Sequence, residues 1–324
     1  MILTASVVVR SYNRLDAALD AVDRLLRQDY PSFEIVLVEQ TEVRTPAQEG
    51  RLGSLERDPR LRILRTRPLG GSGARNEGAR RARGDVIVLL DDDDLPAGDG
   101  WLAAHMRNFE DPLCLAVTGR QIHPGGREPP YWNMARARRL VLTYTPLMWQ
   151  RCFVRGDTRS TRAQNILGTN ASVRRSALER FGFWDTCTRV EDEASFCFRL
   201  LAGKKPEEYL VFDPEAPIVR RLDVVGGLDK RRMRTGEYGR ALFEFFHNII
   251  AHYYPVRFVL LYPCYVVLLA AVSIEWVLME SRGHATVSRK VGGVAGVLLL
   301  LPFRWTWWLA SWTAARLVAG APAR

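Results

Sequence analysis

Lysine is nearly absent from this chain: Lys204, Lys205, Lys230 and Lys290 are the only ones. The formal net charge of +10 therefore comes almost entirely from arginine. A basic balance of this kind predicts an anionic partner, which could be nucleic acid, an acidic lipid surface or a phosphorylated small molecule. No zinc finger, basic zipper or other nucleic-acid module is present, and the basic residues thicken around residues 220–234, just before a hydrophobic tail. That position favours membrane lipids, and we expect no nucleic-acid partner.

Cysteine is also sparse, with five residues and no CxxC spacing. This pattern excludes a disulfide framework and favours a reducing, cytosolic setting. The first ten residues lack the basic region and the small-residue cleavage site of a signal peptide. We therefore expect the part of the chain that carries the chemistry to lie in the cytoplasm.

Short β-branched runs alternate with helix-patterned stretches through the first half of the chain. Between the first two runs, Leu15, Leu19, Val22 and Leu26 recur at helical spacing and predict one apolar helix face. The alternation predicts an α/β fold with a mostly parallel sheet, whose ligands bind at the carboxyl ends of the strands. The predicted strands are residues 6–9, 35–38, 61–64 and 86–90. Residues 122–164 have no clean period and predict an irregular segment over the site.

Four consecutive carboxylates, Asp91 to Asp94, follow the last of these strands directly. At close range each pair of like charges costs roughly 1 kcal/mol even in water. A divalent cation removes that cost, and oxygen ligands suit Mg²⁺ or Mn²⁺, with substrate phosphates completing the coordination shell. The alternative is a solvated acidic turn. The position after a buried strand favours a metal site.

A glycine-rich segment, residues 70–78, precedes this acidic run and opens a predicted helix. A helix N-terminus attracts anions, and Arg75 lies in its first turns. A glycine-rich turn is by itself also a routine loop. Together with the acidic run it predicts an element on the diphosphate side of a nucleotide site.

A third group of polar residues lies further along the chain. Residues 168–171 precede a basic helix, 174–181, which Gly182 closes. Glu191, Asp192 and Glu193 then begin another helix that ends near Gly203. By spacing alone these acidic residues are either helix-capping groups, which the macrodipole favours, or catalytic groups.

The C-terminal quarter is apolar. Residues 259–278 are about as long as a bilayer span, and a second run covers 291–303 and continues into a tryptophan cluster typical of a membrane interface. Residues 240–258 mix aromatics with basic residues and predict an amphipathic interfacial helix. We expect membrane segments over 259–319, as one or two spans or a re-entrant hairpin, with the arginine-rich side in the cytoplasm. The alternative is a buried pair of core helices.

The motif order closely resembles family 2 glycosyltransferases with the GT-A fold, over residues 1–235. The resemblance rests on Ser6 to Arg14, Glu34 to Thr41, Gly73 to Gly78, Gly84 to Asp94, Gly168 to Arg175 and the Glu191-Asp192 pair. It implies a Rossmann-like catalytic domain and an inverting, metal-dependent transferase of the membrane-associated bacterial type. Such an enzyme moves a sugar from a nucleoside-diphosphate sugar, usually linked to UDP, GDP or dTDP, to an acceptor hydroxyl. A glycan or lipid-linked acceptor for cell-surface polysaccharide fits a membrane-held enzyme.

The resemblance also implies roles for individual residues. Asp192 would be the general base, Asp93 the first metal ligand and Asp91 the second. Glu191 and Asn170 would lie on the acceptor side. The residues implied for donor binding are Ser11, Tyr12, Glu39, Arg75, Asp91, Asp92 and Arg220.

Several positions depart from the family pattern. Arg10 stands where the family usually has proline, and Glu39-Gln40-Thr41 replaces the commoner acidic turn, so the donor base is left open. Arg220 lies where many members have histidine, and could neutralise the diphosphate. A QxxRW sequence is absent, which disfavours a processive synthase.

Three alternatives remain open at this stage. A polyprenyl-phosphate glycosyltransferase needs no base, because its acceptor is already anionic, and the Glu191-Asp192 pair argues against it. A nucleotidyltransferase would make a sugar nucleotide and release pyrophosphate. A non-catalytic membrane receptor for nucleotide sugars would release neither product.

Overall fold

The computed structural model describes residues 2–122, 142–148, 150–151, 157–187, 192–221, 223–224, 235–280 and 287–319. The chain divides into two compact units. The first comprises Met1–Thr186 and Glu191–Gly227, and the second comprises Cys187–Val190 and Leu228–Arg324.

The first unit is an α/β domain in which strands and helices alternate through the first hundred residues. Its strands are β1 Ala5–Ser11, β2 Phe33–Glu39, β3 Leu61–Arg65, β4 Val86–Asp91, β5 Asp94–Pro96, β6 Cys114–Ile122, β7 Thr143–Tyr144, β8 Gln150–Arg151, β9 Ser160–Ala163, β10 Asn170–Arg174 and β11 Tyr209–Arg220. Its helices are α1 Leu15–Leu25, α2 Pro46–Leu55, α3 Gly70–Arg81, α4 Trp101–Arg107, α5 Arg175–Phe181 and α6 Asp192–Gly203, with a 3₁₀ turn at Asn108–Glu110. The four strands predicted from β-branched runs are confirmed, each with one to three further residues.

The main sheet has the order β3-β2-β1-β4-β10-β6-β11-β5, and β9 pairs with β11. Strands β3, β2, β1 and β4 are parallel, whereas β10 is antiparallel to both of its neighbours. The chain runs from β1 outward through β2 and β3, then returns to β4 on the other side of β1. The strand order therefore switches between β1 and β4, and the crevice at their carboxyl ends is where ligands bind in sheets of this kind.

Alternating side chains of the sheet fill two apolar layers. On one face, Val7 and Val9 pack in a buried cluster with α1, which contributes Leu15, Leu19 and Val22. On the other face, Val8 packs in a second cluster that includes Ala74 and Ala79 of α3. The helix face predicted for residues 15–26 is confirmed, with Leu26 only partly buried. These two layers fix the strand ends that carry the polar side chains.

The second unit is helical in its described residues. Its elements are α7 Thr235–Phe245, a π-helical turn Phe246–Ile250, α8 Ala251–Tyr253, α9 Pro255–Leu260, α10 Tyr262–Glu280 and α11 Val287–Ala319. Phe243, Phe246 and His247 are buried, and their rings contact Trp305 or Tyr265. The aromatic side of residues 240–258, which predicted an interfacial helix, is thus covered by helices of the same unit.

The predicted apolar run 259–278 is not one continuous helix. The helical hydrogen bonding breaks at Leu261, because Pro263 has no N–H to extend the preceding helix and instead lies in the first turn of the next. Among the described residues, Val294–Ala314 is the one helix long and apolar enough to cross a membrane, judged by length and composition, and Tyr262–Ala271 is a shorter apolar stretch. The segment Val294–Ala314 overlaps most of the predicted run 291–303 and extends through the tryptophan cluster that follows it.

Candidate active site

Arg10 and Asp91 meet at the point where the strand order switches. They are direct neighbours in the register of β1 and β4. The Arg10 guanidinium donates to both carboxylate oxygens of Asp91, with Nε at 2.8 Å from Oδ1 and Nη2 at 3.1 Å from Oδ2. Burial opposes ionisation of Asp91, but the bidentate Arg10, together with the nearby Arg75 and Arg220, lowers the pKa of that carboxyl. From the sequence alone, Arg10 was only a departure from the family pattern and was not predicted to bind Asp91.

Two further arginines face the rest of the acidic run. Arg14, from the loop before α1, forms an ion pair with Asp92 and lies 3.3 Å from Asp93. Arg220, at the end of β11, lies 3.2 Å from Asp93 and 3.6 Å from Asp94. Asp91, Asp92, Asp93 and Arg220, which were predicted from distant parts of the sequence, are brought together. Arg14 was missed because a lone arginine in a loop gives no sequence signal.

Oxygen atoms of Asp91, Asp93 and Asp94 lie within 4.8 Å of one another. Asp94 is fully buried, and neither of its carboxylate oxygens has a hydrogen-bond partner. Burial raises the pKa of Asp92 to about 7 and raises the pKa of Asp94 well above its usual range. An orphaned buried carboxylate in an all-oxygen cluster is a donor set that fits a hard divalent cation. The predicted ligand positions, Asp93 and Asp91, are thus joined by Asp94, which the sequence analysis did not select as a ligand.

The side chains predicted for the nucleoside pocket lie at the ends of β1 and β2. Ser11 is buried, and its hydroxyl has no hydrogen-bond partner. Glu39 is fully buried and accepts hydrogen bonds from Arg44 Nε at 2.9 Å and from the Thr41 backbone N–H at 2.6 Å. Tyr12 is 42% exposed. The structure therefore brings these residues to one edge of the sheet, but Arg44 already occupies the Glu39 carboxylate.

Asp192 begins α6 and faces the first turns of α3. Its Oδ2 accepts hydrogen bonds from Ser72 Oγ and from Arg75 Nη1, each at 2.7 Å. Arg75 Nη2 lies 3.3 Å from Glu193 Oε1, which also accepts from the Gly168 backbone N–H at 3.0 Å. Burial disfavours ionisation of both acids, but Arg75 lowers the pKa of Asp192, whereas burial and the adjacent Asp192 charge raise the pKa of Glu193. Glu191, predicted on the acceptor side, lies outside the described residues.

The two clusters adjoin at the start of α3. The guanidinium of Arg10 lies against Gly71, and a Cβ at that position would collide with it. The next residue, Ser72, binds Asp192. The acidic run with its arginines and the Asp192 cluster are therefore parts of one site, with the first turn of α3 between them.

Asn170, which the family resemblance puts on the acceptor side, is hydrogen-bonded between core elements of the first unit. It is fully buried at the start of β10, where its Nδ2 donates to the backbone oxygens of Arg120 and Ala216. Its Oδ1 accepts from Trp101 Nε1 at 2.9 Å and lies 3.0 Å from His105 Nε2. The amide is satisfied on all sides by protein groups, so Asn170 connects core elements, and its role on the acceptor side stays a prediction.

A comparison with known families matches residues 6–182 to the family described as glycosyl transferase family 2. One relative is the uncharacterized glycosyltransferase EpsJ of Bacillus subtilis, 36% identical over 96 residues, which are 29% of this chain and 27% of that protein. Another is the amylovoran biosynthesis glycosyltransferase AmsB of Erwinia amylovora, 34% identical over 96 residues, which are 28% of this chain and 31% of that protein. The chain thus spans less than a third of the length of these relatives.

Two solved structures share the fold at low sequence identity. The mannosyltransferase PcManGT of Pyrobaculum calidifontis, in complex with GDP-Man and Mn²⁺, has a TM-score of 0.57 and 18% identity, covering 99% of this chain and 89% of its own. TarS 1–349 of S. aureus, in complex with UDP-GlcNAc, has a TM-score of 0.55 and 12% identity, covering 92% of this chain and 91% of its own. The predicted GT-A fold is confirmed by these likenesses.

Proposed function

The chain belongs to glycosyl transferase family 2, and from that premise we propose that it moves a sugar, with inversion, from a nucleoside-diphosphate sugar to an acceptor hydroxyl. Residues 1–235 would form the catalytic domain. The amylovoran relative supports a place in the synthesis of a cell-surface polysaccharide or a lipid-linked glycan. One observation carries the proposal: arginines that can neutralise a phosphate adjoin the partly buried carboxylate of Asp192 in one crevice at the strand-order switch.

The departing group in this reaction is a nucleoside diphosphate, on which negative charge develops as the bond to the sugar breaks. Arg14 and Arg220 are each only partly exposed and already contact the acidic run. A bound diphosphate would take over part of their hydrogen bonding, because guanidinium groups bind phosphate in a bidentate manner. Such fixed positive groups stabilise charge where it develops in the transition state.

The attacking group is a hydroxyl, which must lose its proton. Asp192 is the proposed general base, since its carboxyl is kept ionised by Arg75 and it adjoins the arginine-lined part of the crevice. The proton of the acceptor would pass to Asp192 as the hydroxyl oxygen bonds to the sugar carbon. Such assistance is typically worth about 10² to 10⁴ in rate.

We further propose metal dependence, with Asp91, Asp93 and Asp94 holding Mg²⁺ or Mn²⁺. The oxygen cluster with an orphaned Asp94 supports this, as does the Mn²⁺ in the PcManGT complex. When bound, the cation would neutralise charge on the phosphates. Ser11, Tyr12 and Glu39 remain the proposed nucleoside-side residues.

The product released from sugar nucleotides tests the proposal. The full chain in detergent is incubated with UDP-, GDP- and dTDP-sugars, Mn²⁺ and membrane extract as the acceptor source. Release of nucleoside diphosphate is expected with one class of donor. In a parallel incubation with nucleoside triphosphates and sugar 1-phosphates, release of pyrophosphate would instead identify a nucleotidyltransferase. Release of neither product in the two incubations would favour the receptor.

The base assignment needs its own comparison. Asp192→Asn preserves shape and should lose at least about a hundredfold in turnover if Asp192 is the base. Asp185→Asn is the matched control on a neighbouring segment, where Asp185 pairs with Arg199, and its rate should stay near wild type. If Asp192→Asn keeps more than about a tenth of the rate, the base role is wrong and a lipid-phosphate acceptor becomes the better explanation.

A further inference from the structure

Arg75 differs from the other arginines of the site in its exposure. Its side chain is 2% exposed, compared with 28% for Arg10, 15% for Arg14 and 29% for Arg220. An arginine that binds an incoming phosphate needs an open face. The low exposure indicates that protein groups, and not solvent or a ligand, surround the guanidinium of Arg75.

Protein groups surround the guanidinium of Arg75 on several sides. The outer nitrogens of its guanidinium face two carboxylates, Asp192 at 2.7 Å and Glu193 at 3.3 Å. The Trp184 ring centroid lies 5.7 Å from the guanidinium carbon. A Cβ at Gly168 would collide with both the guanidinium and Glu193. Little space is left for a nucleotide phosphate at this position.

Helix α3 is built to present this contact. Ser72 and Arg75 are three residues apart, so they lie on the same face of the helix, and both donate to the same oxygen of Asp192. The next residue, Asn76, exchanges two hydrogen bonds with the Trp184 backbone, at 2.7 and 3.0 Å, and so fixes α3 against the segment before α6. The position of the Asp192 carboxylate is therefore set by α3.

We propose that Arg75 and Ser72 are positioning residues for Asp192, holding its carboxylate ionised and in a fixed orientation, and that Arg75 is not a ligand of the donor. This inference rests on the proposed role of Asp192 as the base. It replaces the expectation from the family resemblance that Arg75 approaches the nucleotide.

The charge balance explains why an arginine is needed here. Asp192 and Glu193 are adjacent, partly buried acids, and the guanidinium of Arg75 contacts both. The nearby Arg10 also lowers the pKa of Asp192, but less than Arg75 does. Without Arg75, burial and mutual repulsion would favour protonation of the pair, and the pKa of Asp192 would rise. A protonated Asp192 cannot accept the acceptor's proton.

The experiment compares Arg75→Gln, Arg75→Lys and Ser72→Ala in the full chain in detergent. Calorimetry with UDP and with GDP, each with Mn²⁺, gives the affinity on the donor side. Turnover is followed between pH 5 and 9 as nucleoside diphosphate released. Arg81 lies on the same helix, is 63% exposed and forms an ion pair with Glu77 one turn away. Arg81→Gln is therefore the matched control and should behave as wild type.

We expect nucleotide affinity within about twofold of wild type in all three variants, because the proposal gives them no contact with it. Arg75→Gln should lose at least about a hundredfold in kcat at pH 7, and the acid limb of its pH profile should move to higher pH. Arg75→Lys retains the charge and should keep the wild-type acid limb while regaining part of kcat. Ser72→Ala should lower kcat about fivefold, the worth of one hydrogen bond.

A tenfold loss of nucleotide affinity in Arg75→Gln with an unmoved acid limb would make Arg75 a donor ligand and overturn the inference. If Arg75→Gln does not fold, Arg75→Lys and Ser72→Ala decide: wild-type kcat in both would also overturn it. Asp192→Asn separates this failure from that of the proposed function. If Asp192→Asn is inactive while Arg75 and Ser72 variants are unaffected, only the positioning role is wrong, whereas an active Asp192→Asn removes the base itself.

Discussion

At the scale of single residues, the site pairs arginines with aspartates so that few charges are left alone. Arg10 binds both oxygens of Asp91, and Arg14 and Arg220 share Asp93. Lysine cannot reproduce this fork geometry, which agrees with a chain that has so few lysines. Asp94 is the exception, since its two buried oxygens have no hydrogen-bond partner and its nearest cation is 3.6 Å away.

The orphaned Asp94 gives a prediction about the cation. Asp94→Asn removes a full charge from the oxygen cluster, so nucleotide binding should lose most of its dependence on Mn²⁺. The measurement is calorimetry with UDP and GDP in Mn²⁺ and in EDTA, for wild type, Asp93→Asn and Asp94→Asn. Asp16→Asn, outside the cluster, serves as the control. Equal nucleotide affinity of the wild type in Mn²⁺ and in EDTA would contradict the proposed metal site.

His105 gives a prediction about pH. Asn170 Nδ2 donates to two carbonyls, so its Oδ1 faces His105 and Trp101 as an acceptor. His105 Nε2 must then carry the hydrogen, and Nδ1 accepts from Ser172 Oγ, 2.8 Å away. In the neutral ring, both nitrogens are thus satisfied by protein groups.

Burial lowers the pKa of His105 to about 4, against the opposing effects of its hydrogen bond to Asn170 and of Asp213. Because the unfolded chain takes up a proton first, stability is present above the usual histidine range and is lost as pH falls toward 4. When the pH falls from 7 to 5, the buried His105 should lower the free energy of unfolding by about 2 kcal/mol. Urea unfolding of wild type and His105→Gln at both pH values measures this, and an equal loss in the two proteins would refute it.

At the scale of elements, helix α3 carries the proposed positioning residues Ser72 and Arg75 and also packs closely against the sheet. Gly78 faces the sheet so closely that a Cβ there would collide with Val8 and press on Val38. Close approach of α3 to β1 brings Gly71 against Arg10 and Ser72 against Asp192. Gly71 and Gly78 are therefore needed for the short distance between this helix and β1, at the cost of helix propensity.

Two glycine substitutions test this reading of α3. Gly78→Ala should destabilise the fold by about 1 to 3 kcal/mol, because overpacking outweighs the gain in helix propensity. Gly50→Ala in α2 is the matched control, since Gly50 has open space around its Cα and should gain up to about 1 kcal/mol. Thermal unfolding of both variants measures the difference. A stabilised Gly78→Ala would show that the helix is free to move away from the sheet.

At the scale of the whole molecule, the two units have different compositions. In the first unit, buried apolar residues fill both faces of the sheet. In the second unit, the helix segment Val294–Ala314 is only 12% buried. Exposed apolar side chains such as Leu299, Phe303 and Trp307 occur along that segment. An apolar surface of this length supports the proposal that the second unit attaches the chain to a membrane. Catalysis on the cytoplasmic side stays a prediction from the sequence.

Fractionation of cells tests membrane attachment. The full chain should sediment with membranes and be released by detergent but not by high salt, because apolar contact does not weaken with ionic strength. A chain ending at residue 234 should be soluble and still bind UDP or GDP with Mn²⁺. A full chain that stays in the supernatant without detergent would contradict the proposal, as would a shortened chain that still sediments with membranes.

The alternating α/β order, the acidic run after β4 and the carboxylates that begin α6 could all be predicted from local sequence. These features depend on local periodicity and on strand ends, which neighbouring residues specify. The motif series also determined the family, which the match over residues 6–182 confirms. Strand β10 was not predicted, because a five-residue strand leading into a helix has no period of its own.

Which polar side chains share partners could not be predicted from the sequence, because it depends on contacts between distant segments. Asn170 and Arg75 looked alike in sequence, as polar residues in motifs, yet one joins core elements and the other holds a carboxylate 117 positions away. Ser72, Arg14 and Asp94 entered the site for the same reason. A side chain's role depends on what packs against it across the fold, and burial removes water as an alternative partner, so contacts between distant segments fix the charge and direction of each group.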